Sequence, residues 1–574
     1  MLRALSPGSS TEPDGDAGPA RLGWEAPTAA PWQRILNVTI AAGLVAGFAA
    51  QVRHYAFIGD DAFISFRYAR NLVDGLGLVW NAGEAVEGYT NFLWVLTMAA
   101  GMGVGIEPER LSVTLGVASG LAVLGSVVWW NAARYGWRQP LIWLAPAALV
   151  SSRSFTAWST GGLETQLFTC MVFLALGLLC SERGRSDRTP WRSSLLFALA
   201  ALIRPEGVLF AAVAGVCLFV DTLGNRRSMR VCLGFALPLL VVVGGHLLWR
   251  HAYYGYWLPN TWYAKVHGLW WDQSAKYFHH FFSDYRLHWF LPLALVPAFL
   301  RRRFTDYCLL TSVCAYCAYV VYVGGDRFEF RFLVVVLPIL YVLIADGLIL
   351  IWRVAPRNSQ SGRVVAAFGV AAVASALVTT TFAGSTRPEA VRTRDSIASL
   401  GAIRAYAEQR IGEGRGLREA IDSGVLPADL KVAVTGAGAL PYYTMWPMVD
   451  IYGLNDATIA HQHVRVRSQI GHEQQLPPGY LAEQEVVVVD VLNHLVFGTD
   501  PMRMALRLKR AARIAKAMRG KDAMAGLETP ARVKCLQITD DRVMIFVTVV
   551  TEETFARALG HLEPCGRATA EQSG

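Results

Sequence analysis

The chain has 574 residues, of which 53% are hydrophobic and only 17% are charged, and its formal net charge is +9. With a positive mean hydropathy, this composition excludes an ordinary soluble protein and indicates a protein whose main partner is the lipid bilayer. The excess positive charge lies mostly in short loops beside apolar segments, as the positive-inside rule predicts, so no nucleic-acid binding is expected.

The N-terminal segment 1–33 is rich in Pro, Gly, Ala and Asp and predicts a disordered cytoplasmic tail. The apolar run 35–50 follows without a small-residue cleavage site, so we expect a retained anchor rather than a cleaved signal peptide. Residues 34–384 are then predicted to form the transmembrane domain.

Five basic loops set the predicted topology of this domain. If all five lie in the cytoplasm, each gap between them holds an even number of apolar segments, as the positive-inside rule requires. The fold class is therefore a polytopic α-helical membrane protein with about 11 transmembrane helices, its N-terminus inside and its C-terminus outside. The predicted crossings are 35–53, 111–130, 141–157, 165–180, 193–203, 207–221, 231–249, 287–300, 304–323, 332–351 and 363–383.

The first outer loop, residues 54–110, is predicted to carry interfacial helices. "FLWVLTMAAGMGVGI" (92–106) is short for a span and favours a helix lying on the outer face. "DDAFISFRYARNL" begins with Asp60 and Asp61 and continues with the spacing of an amphipathic helix. One aspartate suffices as an N-cap, which leaves the other as a general base for a hydroxyl group.

Polar residues beside the outer ends of apolar segments form a second group of candidates. Charges at membrane depth usually line a cavity or pair with one another, and both alternatives stay open here. "LIRPEG" separates 193–203 from 207–221, a short pair typical of half-helices lining a cavity. Arg204 in this break is expected either to pair with Glu206 or to bind a phosphate. Glu164 begins a helix, where a capping role is favoured.

"GGDRFEFRF" (324–332) is the densest charged motif. If the segment is extended, Arg327, Glu329 and Arg331 share one side, an arrangement that suits a phosphate. "YWLPNTWYAKVHG" (256–268) combines Asn260, Tyr263 and Lys265 with aromatic side chains, which suits a sugar or a phosphate.

Residues 385–574 have a different composition and predict an extracytoplasmic soluble α/β domain. Periodicity predicts a helix at 399–411 and buried strands at 431–436, 485–491 and 542–550. "TGAGALPYY" follows the first strand but lacks the third glycine of a dinucleotide-binding fingerprint, so we expect a tight turn facing the membrane domain. If the domain lies outside the cell, Cys535 and Cys565 are candidates for a disulfide.

Several of these motifs together resemble a known family. In chain order over about 55–465, "DDAFISFRYARNL", "STGGLET", "RPEG", "PNTWYAK", "GGDRFEFRF" and "GLND" resemble the GT-C superfamily of membrane glycosyltransferases. Within it they are most similar to the terminal β-(1→2)-arabinofuranosyltransferase (AftB-like) branch. The resemblance implies a polyprenyl-phosphate-linked sugar donor and a polysaccharide acceptor, an arabinan, outside the plasma membrane.

The resemblance also implies a catalytic aspartate in the first outer loop. This role maps onto Asp60, with Asp61 as a second acidic residue; a divalent cation, Mg²⁺ or Ca²⁺, bound through their oxygens stays open. The candidates for the donor phosphate are Arg204, Lys265, Arg327 and Arg331. The candidates for substrate binding are Glu87, Glu164, Glu206, Asn260, Tyr263, Asp326, Glu329, Asn455, Asp456 and His461.

Two other function classes compete with a glycosyltransferase. A transporter or flippase for a lipid-linked sugar would also use many helices with buried charges, but it predicts related inverted halves, and the sequence has no internal repeat. A non-catalytic scaffold for envelope assembly would leave the charged clusters without a use. The sequence therefore favours a transferase that moves a sugar, arabinofuranose, from a lipid phosphate to a cell-wall glycan.

Overall fold

The computed structural model describes residues 31–183, 189–226, 228–265, 268–354, 360–386, 395–462, 474, 476–477, 479–519 and 531–565. Most of the predicted N-terminal tail, residues 1–30, lies outside the described residues. The first helix already begins at Pro31, inside the predicted tail.

The N-terminal domain is helical. Its α-helices are α1 (Pro31–His54), α2 (Ala62–Val73), α3 (Phe92–Gly103), α4 (Pro108–Tyr135), α5 (Leu144–Ser151), α6 (Arg153–Ala157), α7 (Thr165–Arg183), α8 (Trp191–Ile203), α9 (Gly207–Gly224), α10 (Arg230–Tyr254), α11 (Asn260–Lys265), α12 (Trp271–Tyr285), α13 (Leu291–Leu300), α14 (Phe304–Tyr322), α15 (Leu337–Val354) and α16 (Gln360–Ser385). Short 3₁₀ helices span Pro140–Trp143, Leu287–Trp289 and Arg331–Val336.

Eight helices of the described residues are long and apolar enough to cross a membrane, so the chain is a multi-pass membrane protein. Every predicted crossing contains a helix, but three of them are short: Pro140–Ser151, Trp191–Ile203 and Leu287–Leu300. The predicted interfacial segment 92–106 forms α3, a helix of 12 residues.

The break between α8 and α9 has a local cause. Arg204 precedes a proline and is extended, with φ −150° and ψ 134°, as the proline ring requires of its neighbour. A Cβ on Gly207 would lie 2.5 Å from the Ala201 nitrogen, so glycine permits the close start of α9. Since α9 has 18 residues and is long enough to span, the prediction of two half-helices is wrong for α9.

The C-terminal domain mixes helices with one sheet. Its helices are α17 (Leu400–Asp422), α18 (Ala439–Thr444), α19 (Ala457–Ala460), α20 (Tyr480–Glu483), α21 (Pro501–Arg519) and α22 (Glu552–Leu559). Its strands are β1 (Val432–Val434), β2 (Met448–Asp450), β3 (Val488–Val489), β4 (Val496–Gly498), β5 (Arg532–Thr539) and β6 (Arg542–Thr548). The helix and the three strands expected from the sequence are thus confirmed as α17, β1, β3 and β6.

The sheet has the order β2-β1-β3-β6-β4, with β5 also paired to β6. β1 is parallel to β2 and β3, whereas β6 is antiparallel to β3, β4 and β5. The predicted disulfide is confirmed: Cys535 and Cys565 are joined, with 5.4 Å between their Cα atoms. It ties β5 to the chain that follows α22.

Helix α2 is enclosed between the two domains. Nine of its twelve residues are buried. The helix therefore lacks the broad exposed face that an amphipathic helix on a surface would have. Arg67 donates to the Trp80, Pro441 and Trp446 carbonyls at 2.7–2.8 Å. These neutral acceptors leave its charge uncompensated, and burial lowers the pKa of Arg67 to about 9.

Candidate functional site

The two adjacent aspartates lie at the entrance to α2. Asp61 occupies the N-cap position, but its side chain makes no capping hydrogen bond. The Asp60 carboxylate is 7% exposed and accepts a hydrogen bond of 2.8 Å from the Ala439 amide. Asp61 thus takes the predicted N-cap position, although without a capping hydrogen bond from its side chain, and the C-terminal domain supplies the donor for Asp60.

The turn that supplies this donor is the "TGAGAL" segment after β1. A Cβ on Gly438 would lie 2.0 Å from the Asp60 carbonyl oxygen and 2.6 Å from its carboxyl carbon. Only a residue without a side chain allows the main chain to pass this close. The predicted tight turn facing the membrane domain is thus confirmed.

The charges around Asp60 oppose one another. Burial raises the pKa of the Asp60 carboxyl above its usual range, whereas Arg410, the Ala439 amide and Arg327 lower it. Asp61 adds a second negative charge that raises it further. The pKa of the Asp60 carboxyl is therefore higher than that of an exposed aspartate.

Asp61 faces the cations predicted from the sequence. Its carboxylate interacts electrostatically with Lys265 and Arg331. Lys265 is exposed to solvent, and desolvation by the surrounding protein lowers the pKa of its ammonium group. Arg331 in turn pairs with Asp326 at 2.8 Å. We call Asp60, Asp61, Lys265, Asp326, Arg327 and Arg331 the boundary cluster.

Arg204 belongs to a neighbouring buried network. It pairs with Glu164 at 2.9 Å and with Glu206 at 2.6 Å, so of the two predicted alternatives the ion pair with Glu206 is confirmed. The second Glu164 oxygen accepts from Asn91 at 2.8 Å. Glu164 directly precedes α7, the position expected of a cap, and its two carboxylate oxygens bind Asn91 and Arg204; the capping role stays a prediction. Two carboxylates already offset the guanidinium charge.

The "GGDRFEFRF" segment is not extended. Phe330 adopts the left-handed region with φ 43°, and a 3₁₀ helix begins at Arg331, so the alternation that would align Arg327, Glu329 and Arg331 is lost. Glu329 turns away from the boundary cluster: Arg153 donates to it at 2.6 Å and the Leu400 amide at 3.0 Å. The predicted common side of these three residues is wrong.

Glu87 forms a buried ion pair. Its carboxylate lies 2.6 Å from the Arg250 Nε, and burial raises the pKa of Glu87 to about 7 although Arg250 opposes this. The nearby Asn260 donates from its side chain to the Gly453, Leu454 and Asp456 carbonyls at 2.8–3.2 Å. Asn260 therefore joins the two domains, whereas Glu87 pairs within the membrane domain.

The remaining substrate-binding candidates also contact protein groups. Asp450 accepts from the Asn455 side chain at 3.0 Å, and Asp456 caps α19 by accepting from the Ile459 amide at 3.0 Å. The Tyr263 and His461 rings pack with centroids 4.3 Å apart. Their predicted contacts with substrate stay a prediction.

Two residues of the C-terminal domain that face Asp60, Arg410 and Tyr406, were not predicted from the sequence. On α17, Arg410 and Glu413 have the spacing of an ordinary exposed ion pair, and nothing in the local pattern signals that Arg410 is completely buried. Only the docking of the two domains brings it to the site.

No group of three or more His, Cys, Asp and Glu side chains that could hold a metal ion occurs within the part of the chain that the structure describes. A divalent cation at Asp61 would also meet the positive charges of Lys265 and Arg331. The residues of the boundary cluster therefore fit Mg²⁺ or Ca²⁺ poorly.

Two family models match the chain. That of the Alg9-like mannosyltransferase family matches residues 120–409, half of the chain. That of a domain of unknown function, DUF8728, matches residues 400–541, which lie in the C-terminal domain.

Two curated relatives are terminal β-(1→2)-arabinofuranosyltransferases. The one from Mycobacterium tuberculosis is 33% identical over 300 residues, covering 47% of this chain and 44% of the relative. The one from Corynebacterium glutamicum is 26% identical over 355 residues, covering 54% and 50%. The matches thus span about half the length of these relatives.

Among solved structures, ArnT from Cupriavidus metallidurans bound to undecaprenyl phosphate is similar, with a TM-score of 0.54 at 12% identity. The likeness covers 91% of this chain and 99% of the other. It shows a shared fold, which in this chain is a polytopic helical membrane domain followed by a C-terminal domain that contains a sheet.

Proposed function

The chain belongs to the Alg9-like mannosyltransferase family, and we propose that it transfers arabinofuranose from a polyprenyl-phosphate donor to a glycan acceptor, an arabinan, on the outer face of the plasma membrane. The names of the two relatives support arabinofuranose as the transferred sugar. The undecaprenyl phosphate bound to a protein of the same fold supports a lipid-phosphate donor.

The single observation that carries the proposal is the boundary cluster. Three carboxylates and three cations lie together at the junction of a membrane domain and a polar domain. A lipid-linked donor can approach from the bilayer side and a glycan from the polar side. A transporter gains no support from this cluster, which lies beside helix ends rather than inside a span.

The proposed reaction assigns one task to each charge. An acceptor hydroxyl oxygen bonds to the anomeric carbon of the donor, the bond from that carbon to the phosphate oxygen breaks, and the polyprenyl phosphate leaves. Asp60 takes the proton of the hydroxyl group, a role for which a carboxyl pKa raised by burial is suited. Lys265, Arg327 and Arg331 stabilise the negative charge on the leaving phosphate.

Asp60 is assigned as the base rather than Asp61 because one Asp60 oxygen is fixed by the Ala439 amide, leaving the other for the hydroxyl group. Asp61 faces Lys265 and Arg331 and orients these cations. The roles proposed for Asp60 and Asp61 therefore follow from the groups that each carboxylate contacts or faces.

The test uses the full chain in lipid nanodiscs with radiolabelled decaprenyl-phosphoryl arabinofuranose and a synthetic arabinan oligosaccharide. Asp60→Asn is expected to lower transfer about 100- to 10,000-fold, the range for loss of a general base. Lys265→Met is expected to raise KM for the donor more than Lys265→Arg does, since arginine keeps the charge.

Asp74→Asn is the matched control, because Asp74 follows the same helix and its side chain is 52% exposed. It is expected to transfer at the rate of the unmodified protein. Near-normal turnover by the Asp60→Asn protein would overturn the assignment of the base, and no transfer by the unmodified protein would overturn the choice of donor.

A further inference from the structure

We propose that Arg410 of the C-terminal domain is a positioning residue for Asp60, holding the aspartate and the segment 436–439 in one arrangement at the domain boundary. The inference rests on the proposed function in assigning Asp60 as the base. It gives the domain in which a model of unknown function matches residues 400–541 a part in the reaction centre.

The segment 436–439 connects the two residues. At one end, Arg410 donates from Nη2 to the Gly436 carbonyl at 3.4 Å. At the other end, the Ala439 amide donates to Asp60 at 2.8 Å. Gly438 between them passes so close to Asp60 that an added Cβ would lie 2.0 Å from its carbonyl oxygen. A displacement of either end is therefore transmitted to the Asp60 carboxylate.

Arg410 is anchored by three groups of its own domain. Its Nη1 contacts Glu413 at 2.9 Å, Asp490 at 3.2 Å and the Asn493 carbonyl at 3.0 Å. Its Nε is buried and has no hydrogen-bond partner among the described residues. A fully buried guanidinium held this way keeps a fixed distance from its surroundings, whereas an exposed arginine samples many rotamers.

Five groups face Asp60 from the elements packed around it. Arg410 and Tyr406 come from α17, Arg327 from the loop after α14, the Ala439 amide from the start of α18, and Asp61 from the start of α2. Burial raises the pKa of Asp60, and Arg410 is the strongest of the opposing influences. Loss of the Arg410 charge should therefore move the titration of Asp60 to higher pH.

The experiment compares kcat/KM across pH for three variants of the full chain in nanodiscs. In Arg410→Gln the acidic limb is expected to move up by about one pH unit, since an opposite charge nearby lowers a carboxyl pKa by about one to three. At a fixed pH below the limb this is about a tenfold loss. Arg410→Lys keeps the charge and is expected to keep the limb near that of the unmodified protein.

Arg67→Gln is the matched control. Arg67 is also buried and donates to the Pro441 and Trp446 carbonyls of the same part of the chain, but it is not among the groups that act on Asp60. It is expected to lower stability without moving the limb. The proposal would be overturned if the acidic limb of the kcat/KM profile stayed at its original pH in Arg410→Gln. An equal shift of that limb in Arg67→Gln would also overturn it.

Two additions separate this inference from folding and from the proposed function. Arg410→Gln/Asp490→Asn removes one charge of each sign, which limits the cost of an unpaired buried carboxylate, and should move the limb in the same direction. Infrared titration of the carboxyl band that disappears in Asp60→Asn needs no donor. If the unmodified protein transfers nothing, an upward shift of that band in Arg410→Gln still supports the inference, and an unshifted band contradicts it.

Discussion

Glu87 shows, at the scale of one residue, how burial changes the pKa of a carboxyl group and thereby the stability of the protein. The side chain is 3% exposed, and Arg250 does not fully offset the loss of water, so the pKa of Glu87 is raised to about 7. Because the unfolded chain titrates near 4.5, folding favours the protonated form between these values. This contribution to stability is complete below pH 4.5 and is lost as the pH rises through about 7.

Glu87→Gln should therefore gain stability relative to the unmodified protein as the pH rises from 5 to 8. The relative gain is expected to be on the order of 3 kcal/mol, because glutamine resembles the protonated acid and does not titrate. Thermal unfolding of the detergent-purified proteins at several pH values measures it. A constant difference between the two proteins across this range would show that Glu87 titrates normally.

Which residues lie in the boundary cluster was predictable only where their neighbours in the sequence determine their position. Asp60, Asp61 and Lys265 were found because their charge is conspicuous beside apolar segments. Glu329 was misplaced because the left-handed turn at Phe330 leaves no mark in a run of alternating charged and aromatic residues. Arg410 was missed because its partner Asp60 is 350 positions away along the chain.

At the scale of elements, the turn between β1 and α18 is the most sensitive to substitution. An alanine at Gly438, the N-cap of α18, would be disfavoured by its contact with Asp60. Since the added Cβ would lie 2.0 Å from the Asp60 carbonyl oxygen, Gly438→Ala should displace the turn and lower transfer at least about tenfold.

Gly412→Ala is the control for this substitution. Gly412 lies in α17 with nothing within 4 Å of an added Cβ, and alanine there should stabilise the helix by about 1 kcal/mol. Transfer assays on both variants, alongside melting temperatures, separate the two effects. Equal transfer by the Gly438→Ala and Gly412→Ala proteins would contradict a tight approach to Asp60.

Element type was predictable where a run of apolar residues marks the segment, even when the element itself is short. β1 and β3 have only three and two residues, but each lies within a longer apolar run that the sequence displays. β2 and β4 have three residues each and lie in no such run. α2 was found as a helix, but its burial on both sides depends on the C-terminal domain, which a local pattern does not contain.

At the scale of the whole molecule, the predicted sidedness has support from two ion-pair networks. Arg134 and Arg301, from two of the five basic loops, both pair with Asp346, at 2.7 and 2.8 Å. The boundary cluster, by contrast, contacts the C-terminal domain. We therefore propose that the basic loops share the cytoplasmic side and that the C-terminal domain lies outside.

Cysteine labelling tests this topology in intact cells. In a background without the seven free cysteines, Ala85→Cys in the first outer loop should react with a membrane-impermeant maleimide. Ser228→Cys, between α9 and α10, should react only after permeabilisation. Both positions are exposed, so accessibility depends on the side of the membrane. Labelling of Ser228→Cys alone in intact cells would reverse the orientation.

The hydrogen bonds that dock the domains bear on how far the C-terminal sequence can diverge. Arg67, Asn81 and Asn260 all bind main-chain atoms of the C-terminal domain. These atoms are the carbonyls of 441 and 446, the amide and carbonyl of 448, and the carbonyls of 453, 454 and 456. These hydrogen bonds do not depend on the side chains of the C-terminal domain. The C-terminal domain of a distant relative with the same backbone path would form the same hydrogen bonds, so chimeric proteins that exchange this domain can retain the docked arrangement.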